Sequence, residues 1–250
     1  MEKFLPNQFK PENPRNRFDG KGYHSDNAGN AEIGRLIAKL DTLCNGSLQQ
    51  IVLITSAILG EGKSTVASRL ARSSARNRKN PTLLIDFDLR RPRLHQLFGV
   101  RKRQGLVDIF DGRIPLRDCI KRTSIPGLML LTSGRLRKET PIELLTADKI
   151  KTFFSEVRNS FDNVIVDSPP IIPVSDPLIL GKIVDNVILV VKAGVTSRHI
   201  VKRAIDMFLD VKVSISGIVL NNMDNVLPYY YDSNYYGYKY YEKAETGSDL

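Results

Sequence analysis

The chain alternates short apolar runs with longer stretches in which apolar residues recur every three or four positions. The short runs predict buried strands at 51–54, 82–86, 128–131, 163–167, 187–191 and 215–220. The helical spacing predicts helices at 31–44, 66–78, 94–98, 106–110, 147–161 and 198–209. Asn30 precedes the first of these helices and is expected to be its N-cap.

This alternation predicts an α/β fold. Strands that are apolar along their whole length must be covered on both faces, so we expect a mostly parallel sheet with helices on both sides. The two ends of the chain lack the pattern. Residues 1–30 are rich in Asn, Pro, Gly and charge and predict a flexible arm, whereas residues 226–250 predict a disordered, tyrosine-rich tail. The predicted folded domain is therefore 31–225.

A glycine-containing turn joins the strand at 51–54 to the helix that follows it. Strand, glycine turn and helix, with Lys63 and Ser64 at the end of the turn, are the arrangement of a phosphate-binding P-loop. Glycines let backbone N–H groups face the phosphates, and Ser64 can hold Mg²⁺. The usual first glycine is Ala57 here. The fold is thus expected to be P-loop NTPase-like, with ATP bound by Gly60, Glu61, Gly62, Lys63, Ser64 and Thr65.

Two further strands end in aspartates. Asp86 and Asp88 follow the strand at 82–86, and Asp167 closes the strand at 163–167. Because ligands of open parallel sheets lie beyond the carboxyl ends of the strands, we expect these carboxylates near Lys63, around a Mg²⁺–nucleotide site. A carboxylate not used by the metal can accept a proton from an attacking hydroxyl. Aspartates that only cap turns are the alternative.

Charge and composition narrow the classes of partner. The net charge is +10, and residues 69–103 contain eleven Lys or Arg against two acids. Such a cluster can face nucleotide phosphates, nucleic acid, an anionic membrane, an acidic partner or only solvent. Cys44 and Cys119 lack metal-ligand spacing and predict buried thiols in a reducing compartment. Without a signal peptide or an apolar run of about 20 residues, the chain is expected to be cytoplasmic.

These motifs together resemble the Walker A, A′ and B motifs of the bacterial tyrosine kinases, or BY-kinases, of capsular and exopolysaccharide biosynthesis. They lie at 60–65, 84–92 and 166–170, and the tyrosine cluster at 229–241 follows them. The resemblance spans about residues 31–241. It implies a non-specific protein-tyrosine kinase that uses ATP and Mg²⁺ and phosphorylates its own tail in trans, within an oligomer.

The resemblance also assigns roles to residues. The implied catalytic residues are Lys63, Asp86 and Asp88, without a choice of base between the two aspartates. The implied metal site comprises Ser64, Asp86, Asp88 and Asp167. The implied phosphoacceptors are Tyr229, Tyr230, Tyr231, Tyr235, Tyr236, Tyr238, Tyr240 and Tyr241.

Partners follow from the same resemblance. The family builds a ring-shaped homo-oligomer through a Glu-x-x-Arg-x-x-Arg helix, which Glu32 and Arg35 fit, although the third position is Ala38. It also implies a membrane-anchored activator, the cytoplasmic tail of a polysaccharide co-polymerase, that holds the protein at the inner face of the membrane. A protein-tyrosine phosphatase is a candidate partner, and the function implied is regulation of polysaccharide assembly and export.

Three other functions compete with this interpretation. The hardest of them to exclude is a structural or regulatory nucleotide-binding protein without kinase activity. A non-kinase regulatory ATPase of the partition or septum-site type shares the fold, but its K-G-G-x-G-K loop requires an early lysine where this chain has Ile58. A nucleic-acid-binding protein can use basic residues and stacked tyrosines. The basic run borders the phosphate site, however, and the tail carries acids, so no specific nucleic-acid partner is expected.

Overall fold

The computed structural model describes residues 27–43, 50–77, 81–136 and 146–222. Most of the predicted arm at 1–30 and the whole predicted tail at 226–250 lie outside the described residues. All eight tyrosines proposed as acceptors therefore lie outside them as well.

The described strands are β1 (Gln50–Ser56), β2 (Thr82–Asp86), β3 (Ile120–Arg122), β4 (Leu128–Leu131), β5 (Asn163–Asp167), β6 (Asn186–Lys192) and β7 (Gly217–Asn221). These seven strands form one sheet in the order β3-β4-β2-β5-β1-β6-β7. Six of them are mutually parallel, and β3 runs antiparallel to β4 at one edge. The predicted mostly parallel sheet is confirmed.

Helices cover both faces of the sheet, as the apolar strands predicted. The described helices are α1 (Asn27–Leu43), α2 (Lys63–Asn77), α3 (Leu94–Leu97), α4 (Leu106–Phe110), α5 (Leu116–Cys119), α6 (Ala147–Ser160), α7 (Asp176–Gly181) and α8 (Arg198–Asp210). One core lies between the sheet and α1, α2 and α3, and the other lies between the sheet and α4 to α8. None of the described helices is both long and apolar enough to span a bilayer.

Three details correct the sequence-based picture. The helix α1 begins at Asn27, so Asn30 lies inside it and is not its N-cap. The helix α2 begins at Lys63, three residues before the predicted start, because the turn of the P-loop leads directly into it. Finally, α5, β3 and α7 had not been predicted, since each is short and carries little periodicity.

The order of the strands decides where the functional residues meet. The strand β5 lies between β1 and β2, and all three run in the same direction. Their carboxyl ends therefore open on one edge of the sheet, at Ser56, Asp86 and Asp167. Asp86 and Asp167 are direct neighbours in the register of β2 and β5.

Candidate active site

The P-loop follows the buried strand β1 and ends at the first residue of α2. Gly60 and Gly62 have φ values of +84° and +91°, a region in which side chains other than glycine are strained. The carbonyl of Gly62 accepts the N–H of Val66 at 3.0 Å, which starts the helix at Lys63. The first N–H groups of α2 have no partners in earlier helical turns, and together with the helix dipole they favour an anion.

Ala57 occupies the position where a P-loop usually begins with glycine. Its side chain is fully buried in the core, and its backbone does not adopt a positive φ. Its carbonyl accepts the N–H of Ile172 at 3.2 Å. A methyl group therefore fits at this position, and its presence does not disturb the loop.

Glu61 was predicted as an ATP-binding residue, but its side chain turns away from the open side of the loop. The carboxylate is buried beneath the loop, where Oε2 accepts the N–H of Ile58 at 2.8 Å. Its Oε1 accepts the hydroxyl of Thr196 at 2.6 Å and the N–H of Lys192 at 3.3 Å. Glu61 thus fixes the loop to the end of β6, which leaves only its backbone to contact a nucleotide.

Asn221, the last residue of β7, supports the loop from another side. Its Nδ2 donates to the carbonyl of Glu61 at 2.9 Å. A Cβ placed on Gly62 would collide with the same amide nitrogen. The second glycine of the loop is therefore required by the close approach of Asn221 as well as by its φ value.

Lys63 forms an ion pair with Asp88, with 3.1 Å between Nζ and Oδ2. Both side chains are largely shielded from solvent, at 12% and 3% exposure. The other oxygen of Asp88 accepts the N–H of Arg91 at 2.9 Å. The structure thus brings together the predicted catalytic lysine and one predicted catalytic aspartate, and each compensates the charge of the other.

Asp86 is fully buried at the end of β2. Its Oδ2 accepts the N–H of Leu94 at 3.0 Å, so it fixes the start of α3, which agrees in part with the capping alternative. Within the described ranges, Oδ1 has no hydrogen-bond partner. Burial raises the pKa of Asp86 well above its ordinary value and the nearby Asp167 raises it further, while the Leu94 N–H opposes both.

Asp167 is fully buried, and neither of its oxygens makes a well-formed hydrogen bond to any described residue. Burial raises the pKa of Asp167 to about 7, although the Lys63 charge and the nearby Ser64 hydroxyl lower it. A buried carboxylate without donors is costly unless a cation compensates it. Asp167 and Ser64 are therefore suited to a hydrated Mg²⁺.

The fit to Mg²⁺ is nevertheless not that of a complete metal cage. In the described part of the chain, no three His, Cys, Asp or Glu side chains are grouped so as to hold a metal ion. Asp86, Asp88 and Asp167 hence do not form a three-carboxylate site by themselves. Mg²⁺ commonly keeps several waters and shares substrate phosphates, and Ser64 and Asp167 can supply the remaining contacts.

Other functional candidates occupy different positions. Glu32 and Arg35 are exposed on α1 and pair with each other, with 2.6 Å between Oε1 and Nη1. Sequence reasoning missed Asp176, whose carboxyl lies close enough to Arg90 and Asp88 for both charges to act on it. It also missed Thr196 and Asn221. Asparagine at the end of an apolar run was a local signal for Asn221, whereas nothing local marked Thr196.

Comparison with known proteins agrees with this geometry. Residues 47–245 match a family model described as "ParA: NUBPL iron-transfer P-loop NTPase". The putative tyrosine-protein kinase CapB of Staphylococcus aureus is 34% identical over 188 residues, which cover 74% of this chain and 80% of CapB. The tyrosine-protein kinase YwqD of Bacillus subtilis is 35% identical over 188 residues, covering 75% of this chain and 78% of YwqD.

Some relatives are much longer. The chain spans only 26% of the putative tyrosine-protein kinase EpsB of Ralstonia solanacearum, to which it is 32% identical. Among solved structures, the kinase domain of the Escherichia coli tyrosine kinase ETK superposes with a TM-score of 0.72 at 30% identity, over 77% of this chain and 74% of that one. The chain therefore belongs to the ParA-type P-loop NTPases and, among them, to the bacterial tyrosine kinases.

Proposed function

We propose that this chain is an ATP-dependent protein-tyrosine autokinase whose acceptors are the tyrosines at 229–241. The observation that carries this proposal is Asp86, a buried carboxyl with a raised pKa and an oxygen without a described partner. It lies in register with Asp167 at the edge of the sheet where the P-loop presents Lys63. A nucleotide phosphate, a metal ligand and a base are thus supported at one place.

The backbone N–H groups of the P-loop and Lys63 would bind the β- and γ-phosphates of ATP. Bound Mg²⁺ would reduce the negative charge that develops on the transferred phosphoryl group. Lys63 has to exchange its contact with Asp88 for one with phosphate. Asp88 keeps the hydrogen bond from the Arg91 N–H when the lysine moves, so its carboxylate is not left without a donor.

Asp86 is the better candidate for the base. Asp88 keeps the Arg91 N–H and loses its contact with Lys63 only when the nucleotide binds, whereas burial and Asp167 raise the pKa of Asp86 and so increase its affinity for a proton. Asp86 has Oδ1 to accept the proton of a tyrosine hydroxyl, whose reference pKa is about 10. The phenolic oxygen would bond to the γ-phosphorus as the bridging bond to ADP breaks. The proton would pass to Asp86 and then to solvent.

The cellular role is proposed from the family. The kinase would regulate polysaccharide assembly or export, act in a ring-like homo-oligomer, and reach the inner face of the membrane through a membrane-anchored activator. A phosphatase would remove the phosphate groups from the tail tyrosines. Charge reversal in Arg35→Glu should place two acids side by side on α1 and shift the oligomer toward monomer in light scattering. A monomeric wild type with full activity under every nucleotide condition would contradict the ring.

The match to the ParA model favours one second candidate, a regulatory ATPase without kinase activity. Both functions require nucleotide binding and Lys63. They differ in product, because a regulatory ATPase releases inorganic phosphate and leaves tyrosine unmodified. Phosphotyrosine formation therefore decides between them.

The test uses labelled ATP, the full chain and the variant Lys63→Met. We expect the variant to lose phosphotyrosine formation by at least about a hundredfold, the effect of removing one donor to developing charge. Lys202→Met, which changes an exposed lysine of α8, is the matched control and should retain activity. Undiminished phosphotyrosine in Lys63→Met would overturn the assignment.

A mixing experiment tests whether the tail is the acceptor and whether phosphate is transferred between chains. A chain truncated after Val226 should bind MgATP but lose nearly all self-phosphorylation. It should still phosphorylate the tail of full-length Lys63→Met protein, because donor site and acceptor then belong to different chains. Mass spectrometry that places most phosphate outside 229–241 would refute the tail as acceptor.

A further inference from the structure

A set of exposed cations lies beside Asp86 and takes no part in the proposed chemistry. The sequence from 89 to 107 contains six Lys or Arg and no Asp or Glu. We define the basic rim as four of these residues, Arg90, Arg91, Arg93 and Lys102, together with Arg135, which follows β4. All of these are exposed except Lys102, which is half-buried.

The first part of the rim is fixed to the catalytic aspartates. Asp88 accepts the N–H of Arg91, and Asp86 accepts the N–H of Leu94. The chain between these two bonds therefore remains beside the active site. Arg90, Arg91 and Arg93 project from this short segment, and the nearby Asp176 opposes the charge of Arg90.

The second part is built around the buried ammonium of Lys121. Its Nζ donates to the carbonyls of Arg101 at 2.5 Å and Gln104 at 3.0 Å, and to the hydroxyl of Thr132 at 3.1 Å. The N–H of Leu106 also donates to the carbonyl of Thr132 at 2.9 Å. These bonds hold residues 101–105 against the carboxyl end of β4, so that Lys102 lies near Arg135.

The two parts converge on His95. Its buried Nδ1 has no hydrogen-bond partner among the described residues. Burial lowers the pKa of His95, and the charges of Lys102, Lys121 and Arg93 lower it further. Burial also lowers the pKa of Lys102, where Asp86 acts against this shift and Arg135 adds to it. Positive charge is therefore concentrated at a single place next to Asp86.

We propose that the basic rim binds phosphotyrosine in an acceptor peptide, so that a tyrosine phosphorylated first holds the peptide while a neighbouring tyrosine enters the site. This inference rests on the proposed kinase function. The side chains of 229–241 carry one acid, Asp232, and one base, Lys239, and hence no net charge before modification. Each phosphate adds about −1.5 to −2 charges. The rim would therefore distinguish a phosphorylated tail from an unmodified one.

As the ligand of the basic rim, a phosphorylated peptide is favoured over nucleic acid for two reasons. Arginine forks bind phosphate bidentately, which suits an isolated phosphate on a flexible chain. The rim comprises only five cations and ends at the acids Asp86, Asp88 and Asp167, so it matches one isolated phosphate better than the regularly spaced phosphates of a nucleic acid. A peptide can instead place an uncharged phenol there and keep its phosphate on the rim.

The experiment measures binding to the full chain, treated with phosphatase and kept without ATP. Fluorescent peptides of residues 228–241, unmodified or phosphorylated at Tyr235, are titrated by anisotropy. We expect the phosphopeptide to bind about tenfold more tightly. In the double variant Lys102→Glu and Arg135→Glu, the difference should fall below about twofold. The double variant Lys202→Glu and Arg203→Glu makes the same charge change on exposed positions of α8 and should keep it.

The neutral variant Arg91→Gln with Arg93→Gln gives a second reading if the charge reversals unfold the chain, and it should also reduce the preference. Equal binding of both peptides by the wild type, or equal loss in the α8 control, would overturn the inference. So would a single-stranded oligonucleotide that binds as tightly as the phosphopeptide. Because no ATP is present, phosphopeptide binding by a chain without kinase activity would contradict the proposed function but not the rim.

Discussion

Glu61 in the P-loop and Asp167 at the end of the neighbouring strand β5 are both buried acids, but their surroundings differ completely. Glu61 accepts three hydrogen bonds, from Ile58, Lys192 and Thr196. Asp167 accepts no well-formed bond from any part of the chain that the structure describes. On the side of the site that would bind phosphate, the protein itself therefore satisfies the buried carboxylate. On the side that would face the metal, the buried carboxylate has no such partners.

This difference has an energetic meaning. A buried carboxylate with three donors stabilises the conformation that provides them, because each lost donor would leave an unsatisfied group. A buried carboxylate without donors opposes folding whenever it is charged. The hydrogen bonds of Glu61 thus keep the P-loop in its binding conformation. The free-energy cost of burying a charged Asp167 is left to be offset by a cation.

The largest effect is expected for Asp167→Asn in the absence of nucleotide and Mg²⁺. The folded pKa of about 7 lies above the ordinary value of 3.8, so the wild type loses stability as pH rises from about 4 through 7. The amide removes that loss. The free energy of unfolding should rise by as much as about 4 kcal/mol at pH 8 and by only about 1 kcal/mol near pH 4.5.

Urea unfolding at the two pH values measures this effect, and Asp118→Asn, which changes an exposed acid, is the control. The Asp167→Asn substitution should also weaken Mg²⁺-dependent nucleotide binding. If it raised stability equally at both pH values, burial of charge could not be the cause.

Glu61→Gln tests the other half of the comparison. Glutamine keeps the size of the side chain but presents an NH₂ group to one of the three donors. We expect a loss of about 2–3 kcal/mol in the free energy of unfolding and weaker ATP binding. Glu156→Gln, on the exposed face of α6, should change stability by less than about 0.5 kcal/mol. Unchanged ATP affinity in Glu61→Gln would mean that the loop holds its shape without this side chain.

Gly62→Ala should cost about 2 kcal/mol, in part from strain at a positive φ and in part from displacement of the Asn221 amide. The two parts can be separated. In an Asn221→Ala background the collision is absent, so Gly62→Ala should cost about 1 kcal/mol less. Strict additivity in thermal melts of the four proteins would rule out the contact.

The smallest effect is expected for Thr196→Val, which removes one hydroxyl donor to Glu61 and keeps the shape of the side chain. The cost should be about 1.5 kcal/mol, since the acceptor is charged. Thr196→Ser retains the hydroxyl and should recover most of the stability. If valine and serine behave alike in urea unfolding, the hydroxyl does not contribute.

Local pattern was enough for most of the fold. The strands at 82–86, 128–131 and 163–167 and the helix at 106–110 were predicted with the bounds that the structure has. Each is an apolar segment with clear polar or turn residues at its ends. The edge strand β3 escaped prediction because Lys121 and Arg122 give it no apolar pattern, and Lys121 is buried only because three oxygens accept from its ammonium.

The functional site likewise contains some residues that the local sequence predicts and some contacts that it does not. Lys63 and Ser64 could be found because their function depends on neighbours in sequence. The inward turn of Glu61 could not be found, because its partner Thr196 is 135 residues away. The pairing of Lys63 with Asp88 likewise depends on the order of strands in the sheet, which periodicity does not contain.

The bond between Asn221 and Glu61 joins residues 160 positions apart, and Asn221 closes the last strand of the sheet. During synthesis, residues 50–77 leave the ribosome long before Asn221 does. At about 5–20 residues per second, on the order of ten seconds would pass between synthesis of the P-loop and synthesis of Asn221. A nascent chain that has the whole Walker A sequence would thus still lack the mature loop, so nucleotide capture should begin only when synthesis of the domain is almost complete.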